Sequence, residues 1–93
     1  VIHAYLTSSK ELMEKFCEAI DSGDATGVRT TAHALKSSSA NVGATNFSNL
    51  CKAIETTTRQ SDLARAKGLW QQIKQEHERV INELQNRVKA AAA

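Results

Sequence analysis

The chain has 93 residues, a length that supports one modest hydrophobic core but neither a second domain nor a roomy substrate cavity. It contains no proline and four glycines, and it is rich in Ala, Leu, Lys, Glu and Gln, which lose little conformational freedom in a helix. Twelve Lys and Arg against ten Asp and Glu leave a net charge of +2, with both signs scattered along the sequence, which argues against a nucleic-acid-binding surface.

Apolar side chains at three- and four-residue intervals predict helices in chain order. The first covers about residues 4–21 and is followed by a polar turn that contains Gly23. Asp24 is the predicted N-cap of a second helix over about 25–42, which Gly43 ends. The side chains expected to face inward are Leu6, Leu12, Met13, Phe16, Cys17 and Ile20 in the first helix, and Val28, Ala32, Leu35, Ser39 and Val42 in the second.

A third helix is predicted over about 46–59, with Thr45 or Asn46 as its cap, and it becomes polar from residue 56 onward. Ser61 or Asp62 is the predicted cap of a fourth helix over about 62–89, which at about 1.5 Å per residue would be the longest element. The inward side chains are Phe47, Leu50, Cys51 and Ile54 in the third helix, and Leu63, Ala66, Leu69, Trp70, Ile73, His77, Val80, Ile81, Leu84 and Val88 in the fourth.

Each predicted helix has one apolar stripe, and each connection is short. Burying the four stripes together gives an all-α, antiparallel up-down four-helix bundle with a long C-terminal helix, so we expect residues 1–93 to form a single domain. Cys17 and Cys51 occupy apolar helical positions without a CxxC spacing, which indicates small buried thiols and a reducing compartment. No apolar run is long enough for a membrane-spanning helix and no leader segment opens the chain, so we expect no membrane contact by this segment.

His33 lies on nearly the opposite side of the second helix from its apolar stripe, so we expect an exposed imidazole. Its neighbours one or two turns away are mostly small, which would let a bulky partner approach, and Arg29 and Lys36 supply positive charge within one turn. A neutral imidazole, with an unperturbed pKa of about 6.5, is a good nucleophile near physiological pH. Because phosphoryl transfer mainly requires alignment and cations beside the phosphate oxygens, this face suits a phosphoryl group.

The segment 32–44, AHALKSSSANVGA, resembles the signature of histidine phosphotransfer domains, which is H-x-L-K-G-S/A-S/A followed by a glycine ten residues after the histidine. The matching positions are His33, Leu35, Lys36, Ser38, Ser39 and Gly43. Ser37 stands where the family usually has glycine, and we expect docking to tolerate this small side chain. The segment 47–55 is similar to the family's next helix, so the resemblance covers nearly the whole chain.

The resemblance implies that His33 accepts a phosphoryl group on Nε2 from a receiver-domain aspartate and passes it to another. Lys36, and more weakly Arg29, would screen the phosphate charge. Glu55 occupies a position that carries Glu or Gln beside the phosphoacceptor in relatives, and it would accept the Nδ1 proton and orient the imidazole. The expected partner-binding positions are Thr26, Thr30, Ser37, Ala40 and Gly43.

The resemblance further implies receiver domains of response regulators or of a hybrid kinase as partners, with Mg²⁺ supplied by the receiver and no cofactor in this domain. The domain would be a monomeric, cytoplasmic phosphoryl carrier without a kinase or hydrolase site, and whether it counts as an enzyme stays open. Because the chain begins with Val1, it fits the C-terminal part of a hybrid sensor kinase anchored in the inner membrane, or equally a trimmed stand-alone protein.

Two other functions fit the same pattern. One is a docking module of the same fold that never accepts phosphate, and the other is a structural coiled coil in which the fourth helix pairs with a second copy. A metal site is not expected, because no two histidines or cysteines have the helical spacing that would join them on one ion. His77 is interpreted as a core or boundary residue and His3 as part of a terminus, neither of them catalytic.

Overall fold

The chain forms four helices in the computed structural model, which describes residues 2–60 and 62–92. They are α1 (Ile2–Ser22), α2 (Ala25–Asn41), α3 (Thr45–Arg59) and α4 (Leu63–Ala92). The predicted all-α bundle with a long C-terminal helix is confirmed, and the 30-residue α4 is the longest of the described helices. α1 begins two residues earlier and α4 ends three residues later than predicted, because an apolar stripe does not mark the polar or alanine-rich outer turns of a helix.

The turns at Gly23 and Gly43 set the antiparallel path of the first three helices. Gly43 has a φ of 81°, the left-handed conformation that glycine adopts without strain. The Ala44 N–H donates to the Ser39 carbonyl at 2.9 Å and the Gly43 N–H donates to the Ala40 carbonyl at 3.1 Å, which is a Schellman motif. Gly43 therefore ends α2, as predicted, and leaves a connection short enough to return α3 directly along α2.

The capping predictions have mixed outcomes. Asp24 caps α2, because its carboxylate accepts from the Gly27 N–H at 3.0 Å. Asp62 accepts from the Arg65 N–H at 3.1 Å at the start of α4, whereas Ser61 lies outside the described residues. The prediction for α3 is wrong: its N-cap is Ala44, which makes no side-chain capping bond, because the tight turn after α2 leads straight into the helix.

The core lies between the helices and contains most of the inward residues predicted for α2, α3 and α4, but Val42, Leu50, Leu63, Leu69, His77, Ile81 and Val88 are only half-buried. Each helix packs against the next in sequence, and α4 also lies against α1. Phe16 of α1 stacks on Trp70 of α4 with ring centroids 4.8 Å apart. Among the described helices, none is long and apolar enough to span a bilayer. The fully buried hydrophobic side chains are Phe16, Val28, Ala32, Leu35, Phe47, Cys51, Ile54, Ala66 and Ile73.

The inward face predicted for α1 is wrong in part. Leu6, Leu12, Met13 and Cys17 are only half-buried, whereas Tyr5, Ser9 and Ala19 are buried. Two of these buried residues are polar and have partners across the bundle: the Tyr5 hydroxyl shares a hydrogen bond of 2.8 Å with Ser39, and Ser9 shares one with His77. The Cys17 thiol, predicted to be buried, instead lies near the surface and contacts the Asp21 carboxylate at 3.7 Å.

The second half of α3 is more buried than its polar sequence indicates. Thr57 and Thr58 are buried, and their hydroxyls donate to the carbonyls of Ala53 and Ile54 one turn earlier. A threonine that satisfies its hydroxyl within its own helix presents its methyl group to the core at little cost. This burial continues the packing of α3 past Glu55, which is also buried.

Lowering the pH should destabilise the bundle through His77. This half-buried ring shares a 3.1 Å hydrogen bond with Ser9 and lies 5.5 Å from the Phe47 ring, and burial lowers the pKa of His77 below its usual value of 6.5. The unfolded chain therefore takes up this proton at a higher pH than the folded chain. The stability that the neutral ring provides is complete above about pH 6.5 and is lost as the pH falls below it, at up to about 1.4 kcal/mol per pH unit.

Urea unfolding at pH 7.5, 6.5 and 5.5 measures this effect. The free energy of unfolding should fall toward pH 5.5 in the wild-type protein, and His77→Gln should flatten that dependence. His3→Gln, which changes an exposed histidine, is the matched control and should keep the wild-type slope. A wild-type slope in His77→Gln would contradict the assignment.

Candidate functional site

His33 lies near the middle of α2 with its side chain directed outward, and 64% of that side chain is exposed. The exposure follows from the helical period, because Ala32 and Leu35 on the opposite side of α2 are fully buried. The ring is therefore held on a well-packed helix and remains accessible to a large partner.

Glu55 of α3 is the closest described polar partner of His33. Its Oε2 lies 2.9 Å from His33 Nδ1, although the two residues are 22 positions apart in sequence. The short Gly43 turn returns α3 along α2, and Ser48 Oγ of α3 donates to the Lys36 carbonyl of α2 at 3.0 Å, which fixes the two helices side by side. The Glu55 side chain is 93% buried, since only 7% of its surface is exposed, so it approaches the ring from below the surface.

The charge state of Glu55 determines which nitrogen of His33 carries the proton. Burial by itself raises the pKa of Glu55, but hydrogen bonds from Lys36 and His33 and the positive charge of Lys36 outweigh burial, so the pKa lies below its usual value. Glu55 is therefore ionised at neutral pH and can only accept hydrogen bonds. Nδ1 must then be the donor, and the exposed Nε2 of the neutral ring carries a free lone pair.

Two cations share the Glu55 carboxylate with His33. Lys36 Nζ lies 3.2 Å from Oε1 and is 26% exposed, while Arg59 NH2 lies 3.8 Å from the same oxygen. Lys36 lies one helical turn after His33 on α2, and from there its ammonium group reaches the same Glu55 carboxylate. Sequence reasoning missed Arg59, although its position four residues after Glu55 puts it on the same face of α3.

A shallow open pocket surrounds the exposed side of the imidazole. It is lined by Arg29, Thr30, His33, Glu55 and Arg59, so the two arginines flank the ring from α2 and α3. Glu55 is the one carboxylate in this lining, and both of its oxygens are already engaged, Oε2 with His33 and Oε1 with Lys36 and Arg59. An anion at Nε2 would therefore meet positive charge on both sides of the ring.

The predicted partner-binding positions all lie on exposed surface. Those on α2 have small side chains, and Gly43 follows in the turn, so the long side chains close to His33 on this helix are Arg29 and Lys36. Ser37 is exposed, so its side chain occupies no space inside the bundle. The positions are Thr26, Thr30, Ser37, Ala40 and Gly43.

The part of the chain that the structure describes contains no group of three or more His, Cys, Asp or Glu side chains arranged to hold a metal ion. His77 and His3 lie apart from the site: His77 is bonded to Ser9 inside the bundle, and His3 is exposed near the start of α1. The chemistry of this surface is therefore that of one imidazole, one buried carboxylate and the surrounding cations.

Residues 1–88 match the family described as Hpt domain. The fold is similar to the crystal structure of histidine-containing phosphotransfer protein B from Pseudomonas aeruginosa PAO1, with a TM-score of 0.92 and 29% sequence identity over 96% of this chain and 77% of that chain. No curated protein matches the sequence significantly.

Proposed function

The chain belongs to the Hpt domain family, the histidine phosphotransfer modules of phosphorelays, and on that premise we propose that His33 is the residue that carries the phosphoryl group. The observation that carries this proposal is the 2.9 Å contact between His33 Nδ1 and the buried Glu55 carboxylate. It leaves Nε2 unprotonated and exposed in the neutral ring, which is the state that a nucleophile needs.

The transfer step requires no proton to leave the site. The Nε2 lone pair of His33 attacks the phosphorus of an aspartyl phosphate in line, and the bond between phosphorus and the aspartate oxygen breaks with its electron pair returning to that carboxylate. The ring keeps its Nδ1 proton and gains positive charge as the new N–P bond forms. The Glu55 carboxylate, held at hydrogen-bond distance, stabilises that charge, and the reverse step delivers the phosphoryl group to a second aspartate.

In this proposal, cations near the ring stabilise the negative charge of the phosphate oxygens. Arg29 and Arg59 flank the pocket around His33, and Lys36 lies one turn away at the Glu55 carboxylate. Charge on the equatorial oxygens of the transferring group is what such side chains stabilise. We expect Mg²⁺ to come from the receiver domain and this chain to contribute no cofactor.

An Hpt domain interacts with phosphorelay receiver domains. For this chain we infer receivers of response regulators or of a hybrid kinase, docked over the small side chains of α2 and the Gly43 turn. We infer that this carrier functions as a monomer. Membership of the Hpt domain family supports a cytoplasmic location.

Phosphoramidate, a small donor that phosphorylates imidazoles directly, tests the acceptor without any partner. We expect one phosphate per chain, labile in acid and stable in alkali, that peptide mapping locates on His33. Transfer from a phosphorylated receiver should label the same residue. An unlabelled protein, or a label on another residue, would contradict the proposal.

A further inference from the structure

The helices of the bundle differ in the charges that they carry. α2 and α3 carry four cations and a single acidic residue, the buried Glu55. α1 carries four acidic residues against two lysines, all of them exposed. The half of the bundle that presents His33 is therefore positive and α1 is negative, while α4 carries six cations and three acidic residues. The four cations, which we call the cationic face, are Arg29, Lys36, Lys52 and Arg59.

The cations of this face lie one helical turn from the two residues of the site. Arg29 and Lys36 are four and three residues from His33, while Lys52 and Arg59 are three and four residues from Glu55. Neither Arg29 nor Lys52 forms an ion pair with a described acidic side chain. Their charge is therefore not neutralised within the described protein.

The position of Lys52 indicates a role beyond the phosphate itself. Lys52 is exposed but does not line the pocket around His33; it lines the open groove between α3 and α4 together with Asn49 and Thr56. A phosphoryl group on Nε2 would not need a cation there, whereas a protein docked over α2 and α3 would meet it. Of the six exposed cations of α4, only Arg79 and Arg87 are paired with a described acidic side chain.

We propose that the cationic face selects receiver domains whose docking surface carries net negative charge outside the phosphorylated aspartate, by speeding their association with this chain. This inference rests on the proposed function of His33. Complementary charge raises association rates by about 10- to 1,000-fold at low salt, and the gain falls as ionic strength rises. The acidic α1 would disfavour approach of the same partner from the other side, because bringing like charges together across an interface costs free energy.

Transfer rates from receivers of opposite surface charge provide the test. Two receiver domains, one acidic and one basic around the phosphorylated aspartate, are loaded with acetyl phosphate, and the rate of His33 labelling is followed at low and high salt. The acidic receiver should transfer faster, and Lys52→Glu should slow its transfer about 10-fold at low salt and less than about 2-fold at 0.5 M salt, where the Debye length is only about 4 Å.

Lys67→Glu is the matched control, since it makes the same charge change at an exposed position on α4. It should change the rate by less than about 2-fold at every salt concentration. Equal effects of Lys52→Glu and Lys67→Glu, or a Lys52→Glu effect that salt does not reduce, would overturn the inference.

Labelling with phosphoramidate distinguishes a failure of this inference from a failure of the proposed function. If it labels wild-type His33 while the two charge variants behave alike with the receivers, the acceptor assignment stands and the selection of acidic receivers is wrong. If it leaves wild-type His33 unlabelled, the proposed function fails first.

Discussion

His33→Gln should abolish phosphoryl acceptance, reducing labelling by phosphoramidate or by a phosphorylated receiver by more than about 1,000-fold. The reason is that the variant removes the nucleophile itself, and covalent transfer has no substitute for a missing nucleophile. The fold should survive, because the side chain is 64% exposed and Lys36 and Arg59 still neutralise Glu55. Circular dichroism and the urea midpoint confirm that the loss is chemical, with stability changed by about 1 kcal/mol or less.

The other candidate nucleophiles should not replace His33. His77 is bonded to Ser9 inside the bundle. Burial, and then the negative charge of Glu55, raise the pKa of the Cys51 thiol to about 12, so this thiol stays protonated and unreactive at neutral pH. His3→Gln is the control and should keep full labelling. Acid-labile phosphate on the His33→Gln protein would show that the acceptor has been misassigned.

Removing the Glu55 carboxylate should slow phosphoryl transfer by about 100-fold in Glu55→Ala and by about 10-fold in Glu55→Gln. Alanine loses both the acceptor for the Nδ1 proton and the charge that stabilises the ring as the N–P bond forms, whereas glutamine keeps an acceptor oxygen without the charge. Single-turnover rates with one receiver at saturation measure the effect on the transfer step apart from docking.

Nitrogen NMR of the imidazole distinguishes positioning from a merely structural role of Glu55. The wild-type ring should be the tautomer protonated on Nδ1, because the ionised carboxylate 2.9 Å away accepts that proton. Glu55→Ala should show a mixture of tautomers, and Glu55→Gln should restore much of the wild-type signal. Unchanged tautomer signals and an unchanged transfer rate in Glu55→Ala would refute the role.

Prediction from sequence succeeded where the helical period alone decides the outcome. The angular position of His33 around α2, away from the stripe that contains Ala32 and Leu35, predicts an exposed side chain, and the structure agrees. The α1 face was misjudged because Tyr5 and Ser9 are buried through hydrogen bonds to other helices, and a count of apolar residues along one helix does not detect such partners.

The features of the site that could not be predicted from the sequence are the contacts between different helices. The nearness of Glu55 to His33 was expected from family resemblance alone, because periodicity within a helix says nothing about which residue lies opposite on the next one. Lys36 was expected near the phosphate, and the structure adds that it shares the Glu55 carboxylate. The four-residue spacing between Glu55 and Arg59 indicates a role for Arg59 only once Glu55 is known to belong to the site.

The left-handed Gly43 turn has a consequence for how this chain can vary during evolution. The Schellman bonds across this turn leave no spare residue between the two helices. A residue inserted within α2 after His33 or within α3 before Glu55 would shift the following helical turns by about 1.5 Å and rotate them by about 100°, carrying the carboxylate away from the imidazole. Insertions and deletions should therefore accumulate elsewhere, while the 22-residue separation between phosphoacceptor and carboxylate is retained. That fixed interval gives genome searches a criterion for recognising divergent homologues that share this pairing.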